Sequence, residues 1–203
     1  MGFASSSVSL IRYRVRGEIE GSFWDAVDEG IRKGAFREIE TTSDEIGMGW
    51  TSMEDFTDHV FKGASYVRGN YVALSLRIDA VRVPPRVLEI HLKKEAGKMA
   101  EQAGGRRLSA AERRDLKERL KESLRKQVFP SIQVYDLIWD TVNATVYFGS
   151  QSPRAQERVE QHFKKCFGLT LVPLIAFIRA EEMLDGKTGA QRLETLKPSI
   201  MMP

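Results

Sequence analysis

The spacing of apolar residues changes abruptly at Pro84-Pro85, and this change constrains how the chain can fold. Before the two prolines, residues 71–78 place apolar side chains at alternate positions, as a half-buried strand does. After them, apolar residues recur every three or four positions, as on one face of a helix. Because proline lacks a backbone N–H and suits the first turn of a helix, we expect a strand to end and a helix to begin here.

The segment 86–130 is predicted to form a helical hairpin. Gly104-Gly105 interrupts the helical pattern, and Ser109 with Glu112 has the spacing of a capping box that starts a second helix. Pro130 ends that second helix. The two apolar stripes are Leu88, Leu92, Ala96, Met99 and Ala103 in the first helix and Leu116, Leu120, Leu124 and Val128 in the second.

Strand and helix signals on either side of the hairpin predict an α+β protein. Strands are expected at 8–15, 46–51, twice within 65–83, and at 132–140, 144–148 and 169–178, with helices at 22–34 and 152–168. The domain organisation is therefore two β-α-β-β-like halves, residues 1–85 and 131–180, flanking the basic hairpin 86–130. The remaining segment, 181–203, is a polar and flexible tail in this interpretation.

The net charge of +3 over 203 residues conceals an uneven distribution. Residues 86–126 carry 13 basic and 7 acidic side chains, whereas residues 1–85 carry 10 and 13 and residues 127–203 carry 8 and 8. A clustered basic face attracts phosphate backbones. A helix rich in Lys and Glu is also common as a plain solvated surface, so charge alone leaves both interpretations open.

Cations on the second helix share one face. Four of them lie within about 80° of one another when projected down the helix axis. This basic column consists of Arg114, Lys117, Lys121 and Arg125. At the hairpin tip, Arg106 and Arg107 extend the positive charge. Leu108 is expected to be an exposed apolar residue there, suited to pressing against a base step. The candidate DNA-binding residues are Lys93, Lys94, Lys98, Arg106, Arg107, Arg113, Arg114, Lys117, Lys121 and Arg125.

Catalytic and cofactor motifs are weak in this sequence. His162 and Cys166 are one helical turn apart, but a zinc site needs three or four ligands, and Cys166 among Phe163 and Phe167 is typical of a structural buried thiol. Gly47 and Gly49 lack the third glycine of a dinucleotide fingerprint. We expect no cofactor, no bound metal and no enzymatic activity.

Four carboxylates in the last third of the chain are candidate metal ligands of a nuclease. Asp136 and Asp140 would share a strand face about 13 Å apart, which is too far for one metal. Glu157 and Glu160 follow on the next helix. Glu89, Glu95 and Glu101 are better explained as helix-surface partners of lysines.

The sequence predicts a cytoplasmic protein without a membrane partner. It has a single cysteine and no secretory signal, and its longest apolar run is far shorter than the ~20 residues of a membrane span.

Several segments together resemble the bacterial recombination-associated RdgC family. They are Gly105 to Glu112, Gln127 to Pro130, Trp139 to Asn143 and Gly168 to Leu174, with Tyr13 and Gly49-Trp50 nearer the N-terminus. The resemblance covers residues 8–178 and implies a short relative, because family members are longer.

The resemblance implies a nucleoid-associated protein that binds single- or double-stranded DNA without sequence preference. It further implies a homodimer, a possible RecA recombinase partner, and DNA contact through the hairpin by Arg106, Arg107, Arg113, Arg114 and Lys117. Two alternatives to DNA binding stay open: an assembly subunit whose hairpin packs on an acidic partner, and a metal-dependent nuclease.

Overall fold

The computed structural model describes residues 3, 8–39, 45–183 and 195. The strands are β1 (Ile11–Arg16), β2 (Ile46–Ser52), β3 (Val67–Arg68), β4 (Tyr71–Ala80), β5 (Ser131–Asp140), β6 (Thr145–Phe148) and β7 (Thr170–Pro173). The helices are α1 (Phe23–Lys33), α2 (Pro85–Gln102), α3 (Ala110–Arg125), α4 (Pro153–Phe167) and α5 (Ala176–Met183), with a 3₁₀ turn at Lys62–Ala64. The predicted α+β class is confirmed.

The strands form one seven-stranded sheet in the order β2-β4-β5-β6-β1-β7, with β3 paired to β4. The first strand of the chain thus lies between two strands from its last third, and both pairings are antiparallel. The tight turn from β3 to β4 passes through Gly69, whose φ of 61° is easily adopted by glycine. The two strands predicted within 65–83 are therefore confirmed.

The chain forms two compact units. The first contains Met1–Phe36, Gly49–Arg77 and Val134–Pro203, and the second contains Arg37–Met48 and Ile78–Gln133.

The core of the first unit is built from alternate strand residues and the apolar faces of α1 and α4. Tyr13, Leu74 and Leu76 are fully buried, and so is Phe163 of α4. The Trp139 and Phe163 rings meet edge to face with centroids 5.1 Å apart. Such aromatic contacts add to the apolar area already removed from water.

Two glycines let α1 and β2 approach closely within the first unit. The Trp50 N–H donates to the Gly34 carbonyl at 2.8 Å, and the Phe36 N–H donates to the Trp50 carbonyl at 2.9 Å. A Cβ on Gly34 would lie 2.8 Å from Cδ1 of Trp50, and a Cβ on Gly49 would overlap the Phe36 backbone. Gly34 and Gly49 therefore serve packing.

The second unit contains the predicted helical hairpin. Pro84 occupies the N-cap position and Pro85 the first turn of α2, as the sequence predicts. Leu92, Leu116 and Leu124 are buried, which confirms the facing stripes near the base of the hairpin. Towards the tip the apolar stripe is no longer buried, because Ala103 is exposed.

The predicted strand at 169–178 is wrong beyond Pro173. The Leu174 N–H donates to the Arg12 carbonyl at 2.8 Å, after which the chain turns into α5 and the Arg179 N–H donates to the Ile175 carbonyl at 2.9 Å. The apolar run 174–178 carries no period that separates strand from helix. Residues 181–183 of the predicted tail belong to α5, and the rest of that tail, apart from Thr195, lies outside the described residues.

No helix in the described part of the chain is both long and apolar enough to cross a bilayer.

Candidate nucleic-acid interface

The tip of the helical hairpin is built by two glycines and a capping box. Gly104 and Gly105 have φ values of 68° and 87°, and the Gly105 N–H donates to the Ala100 carbonyl at 2.8 Å, closing α2. The Ser109 N–H donates to a carboxylate oxygen of Glu112 at 2.8 Å, while the Glu112 N–H donates to the Ser109 hydroxyl at 3.3 Å. The start of α3 is therefore held by reciprocal bonds.

Arg106 is tied into this capping box. Its guanidinium lies 2.6 Å from a Glu112 carboxylate oxygen. That hydrogen bond from Arg106, followed by the bonds from Ser109, lowers the pKa of Glu112 to about 2. Both partners are exposed, so a phosphate oxygen can replace the carboxylate as the partner of Arg106.

Two lysines of α2 also have acidic partners. Lys93 lies 2.9 Å from Glu89 and Lys98 lies 2.7 Å from Glu95, which confirms the predicted pairs of these two carboxylates. Their hydrogen bonds lower the pKa values of Glu89 and Glu95. Lys94 is exposed between them. Glu101 forms no ion pair among the described residues, so its predicted pairing is wrong.

The members of the basic column on α3 differ in whether they pair with an acidic residue. Lys121 forms a 2.7 Å ion pair with Glu45, and that bond lowers the pKa of Glu45, with Arg125 adding to the effect. Arg114 and Lys117, nearer the tip, are exposed and line the space between α2 and α3.

A groove of about 650 Å³ runs between α2 and α3 on this side. Its apolar lining includes Leu88 and Leu92, and two carboxylates, Glu89 and Glu118, also line it. On the α3 side it carries Arg113, Arg114 and Lys117. In the part of the chain that the structure describes, these three cations form no ion pair, and neither does exposed Arg107 at the tip. This groove and tip form the candidate interface.

Leu108, predicted as an exposed apolar tip residue, is half-buried.

The carboxylates considered as nuclease ligands are occupied by local hydrogen bonds. Asp136 accepts from the Ser75 hydroxyl at 2.7 Å and from the Phe3 N–H at 2.9 Å. Asp140 accepts from the Asn143 side-chain amide at 2.8 Å and from the Asn143 N–H at 3.0 Å, and these bonds lower its pKa. Among the described residues, no group of three or more His, Cys, Asp or Glu side chains could hold a metal ion.

His162 and Cys166 belong to the aromatic core of the first unit. The His162 Nε2 lies 3.0 Å from the Gly34 carbonyl oxygen, and its ring centroid lies 4.7 Å from that of Trp50. Burial lowers the pKa of His162 and raises the pKa of the half-buried Cys166 thiol. A raised pKa disfavours the thiolate, as the structural interpretation of this cysteine requires.

A second cationic cavity, absent from the sequence predictions, lies in the first unit. It encloses about 440 Å³ and is lined by Arg12, Arg14 and Arg179 together with neutral residues. The signal that could have revealed it is the alternation of arginine with apolar residues along β1, which places Arg12 and Arg14 on one face.

These features define an α+β protein in which a helical hairpin presents exposed cations beside an apolar groove. A family model described as "Putative exonuclease, RdgC" matches residues 9–184. The chain therefore belongs to the RdgC family, as the resemblance of its motifs indicates. No curated protein matches the sequence.

Proposed function

We propose that this protein binds DNA through its phosphate backbone, without sequence preference, by the exposed cations of the helical hairpin. The observation that carries the proposal is that four exposed cations of the groove and tip have no ion pair among the described residues: Arg107, Arg113, Arg114 and Lys117. Cations without acidic partners bind phosphate without first breaking an internal pair.

The chemistry of the groove favours backbone contact over base reading. Arginine forks match phosphate oxygens in bidentate geometry, and such contacts position a protein on DNA without reporting its sequence. Arg106, Lys93 and Lys98 sit in exposed ion pairs, which are weak enough to exchange for phosphate. The binding surface would thus extend from the groove to the tip.

We also propose that the protein is not a catalyst. The family description contains the word exonuclease, but Asp136 and Asp140 hold a serine hydroxyl, backbone amides and an asparagine side chain. A carboxylate in a metal-dependent nuclease must turn its oxygens to the metal instead. Unchanged DNA length after incubation with Mg²⁺ is the expected result, and nuclease activity lost in Asp136→Asn would contradict it.

Family membership supports three further parts of the proposal: a homodimer, association with the nucleoid, and modulation of RecA-dependent recombination. Four exposed apolar side chains of the second unit also favour self-association, which keeps the assembly role as a second candidate. They are Val87, Ile90, Phe129 and Ile132.

The test is charge reversal of Arg113, Arg114 and Lys117 to Glu, with DNA binding measured by fluorescence anisotropy at several salt concentrations. Each phosphate contact contributes about −0.9 to the slope of log affinity against log salt for duplex DNA, so losing three should flatten the slope by about 2.7. We expect affinity at low salt to fall by about 100-fold or more.

The matched control reverses three exposed cations of the first unit, Lys62, Arg154 and Lys164, and changes the net charge equally. A loss of binding as large in this control would mean that overall charge, and not the groove, governs affinity. Parent-like binding by the groove variant would reject the proposed interface.

A further inference from the structure

One face of the sheet at β1 carries a concentration of positive charge. Arg12 and Arg14 alternate with Tyr13 and Val15, which are buried on the opposite face. In the strand pairing, Arg12 lies opposite Tyr147 and Arg14 lies opposite Thr145. Two guanidiniums and two hydroxyl-bearing side chains therefore share one surface.

The chain after β7 makes this surface concave. The Leu174 N–H bonds to the Arg12 carbonyl, and α5 then begins at Ala176, so its first turn borders the same cavity as Arg12 and Arg14. Arg179, on the next turn, is the third arginine of the lining. The described lining contains no acidic residue.

One of the arginines is fixed in place. The Arg14 guanidinium donates to the Asn143 carbonyl at 2.7 Å and lies 3.5 Å from the Thr145 hydroxyl. A preorganised guanidinium loses less conformational entropy when it binds an anion. The cavity volume of about 440 Å³ falls within the roughly 300–1,000 Å³ of small-ligand sites.

We propose that this cavity is a phosphate-binding site separate from the hairpin. Arg12 and Arg179 supply charge-assisted hydrogen bonds, Arg14 adds a fixed positive charge, and the Tyr147 hydroxyl is a further donor. The first residue of α5, Ala176, also lines the cavity, and the N-terminal end of a helix carries partial positive charge. The phosphate belongs either to a DNA strand or to a free nucleotide, and the two sources are separated by experiment. Only the DNA source rests on the proposed function.

The test uses the full chain with Arg12→Gln and Arg179→Gln combined, since Arg14 also has a structural role. Deoxyadenosine triphosphate and inorganic pyrophosphate are titrated by calorimetry, and labelled single-stranded and duplex DNA are titrated by anisotropy. The control, Lys62→Gln with Arg154→Gln, removes the same charge from exposed positions of the same unit. Matching circular dichroism spectra and melting temperatures establish that both variants are folded.

We expect at least a tenfold loss of affinity, relative to the control, for DNA or for the small phosphates. A loss confined to DNA assigns the cavity to a strand phosphate, and a loss confined to triphosphate and pyrophosphate assigns it to a nucleotide. Losses within twofold of the control for every probe would overturn the site. Arg12→Lys, which keeps the charge without the fork, should give an intermediate loss.

Failure of the hairpin interface is distinguishable from failure of this site. If reversal of Arg113, Arg114 and Lys117 leaves DNA binding intact while the Arg12 and Arg179 variant removes it, the cavity stands and the hairpin proposal falls. The opposite pattern, with no effect on the small phosphates, rejects the cavity alone.

Discussion

At the scale of single residues, His162 is a titratable side chain buried in the core of the first unit. It packs on Trp50, and its ring nitrogen lies beside the Gly34 carbonyl. Gly34 itself has no room for a side chain, because Trp50 and Cys166 fill the space. The histidine, the cysteine and the glycine therefore act together as packing residues.

Burial gives His162 a predictable effect on stability. Removal from water lowers the pKa of His162 below its ordinary 6.5, nearby Lys165 lowers it further, and the bond to the Gly34 carbonyl opposes both. His162 therefore binds a proton more readily in the unfolded chain than in the folded protein. As a result, the free energy of unfolding decreases as pH falls below about 6.5. We expect the urea midpoint to decline from pH 7 to pH 5.5, and to decline less in His162→Gln.

The control for this prediction is Gln151→Ala, at an exposed position of the first unit that carries no titratable group. It should reproduce the pH dependence of the parent protein. A parent-like decline in His162→Gln would show that other groups cause the loss.

At the scale of elements, the hairpin depends on the cap that starts α3. Ser109 and Glu112 exchange two hydrogen bonds, and Arg106 is bound to the same carboxylate. The element that fixes the helix start therefore also sets the position of a tip cation. Local sequence signals were sufficient here, because a capping box involves residues only three positions apart.

Replacing Ser109 with Ala should destabilise the protein by about 1 kcal/mol, because the Glu112 N–H loses its acceptor. The measurement is the urea midpoint, with helicity followed by circular dichroism. Ser123→Ala, at an exposed position inside α3, is the matched control and should be neutral or slightly stabilising. Equal losses in both variants would argue against the cap as the source of the effect.

At the scale of the whole molecule, self-association and DNA binding make different predictions. Phe129 is 93% exposed and Ile132 is 48% exposed, and apolar surface of this kind is stabilised by burial between copies. Light scattering after size exclusion should report a homodimer, and Phe129→Ser with Ile132→Ser should shift it towards monomer. Val142→Ser, at another exposed apolar position, should leave the mass unchanged.

Size exclusion in the presence of DNA distinguishes the DNA-binding role from the assembly role. A protein that binds DNA through its hairpin elutes together with the DNA at low salt and apart from it at high salt. An oligomer that dissociates in salt and ignores DNA would favour the assembly role. A monomer in every condition would contradict the proposed homodimer.

Local signals in the sequence determined the helical elements of this protein. Pro84-Pro85, Gly104-Gly105 and the Ser109 capping box set the bounds of the hairpin, since each acts over a few bonds. Strand alternation likewise placed β4, whose buried face follows directly from its residues.

Only the tertiary structure decided features that depend on residues far apart in the chain. In the folded protein β1 lies between β6 and β7, and the apolar run after Pro173 forms the start of α5. Lys121 pairs with Glu45. The tertiary structure also brings Arg179 to Arg12 and Arg14. The physical reason is that strand order and ion pairing are set by long-range contacts, which residue spacing does not encode.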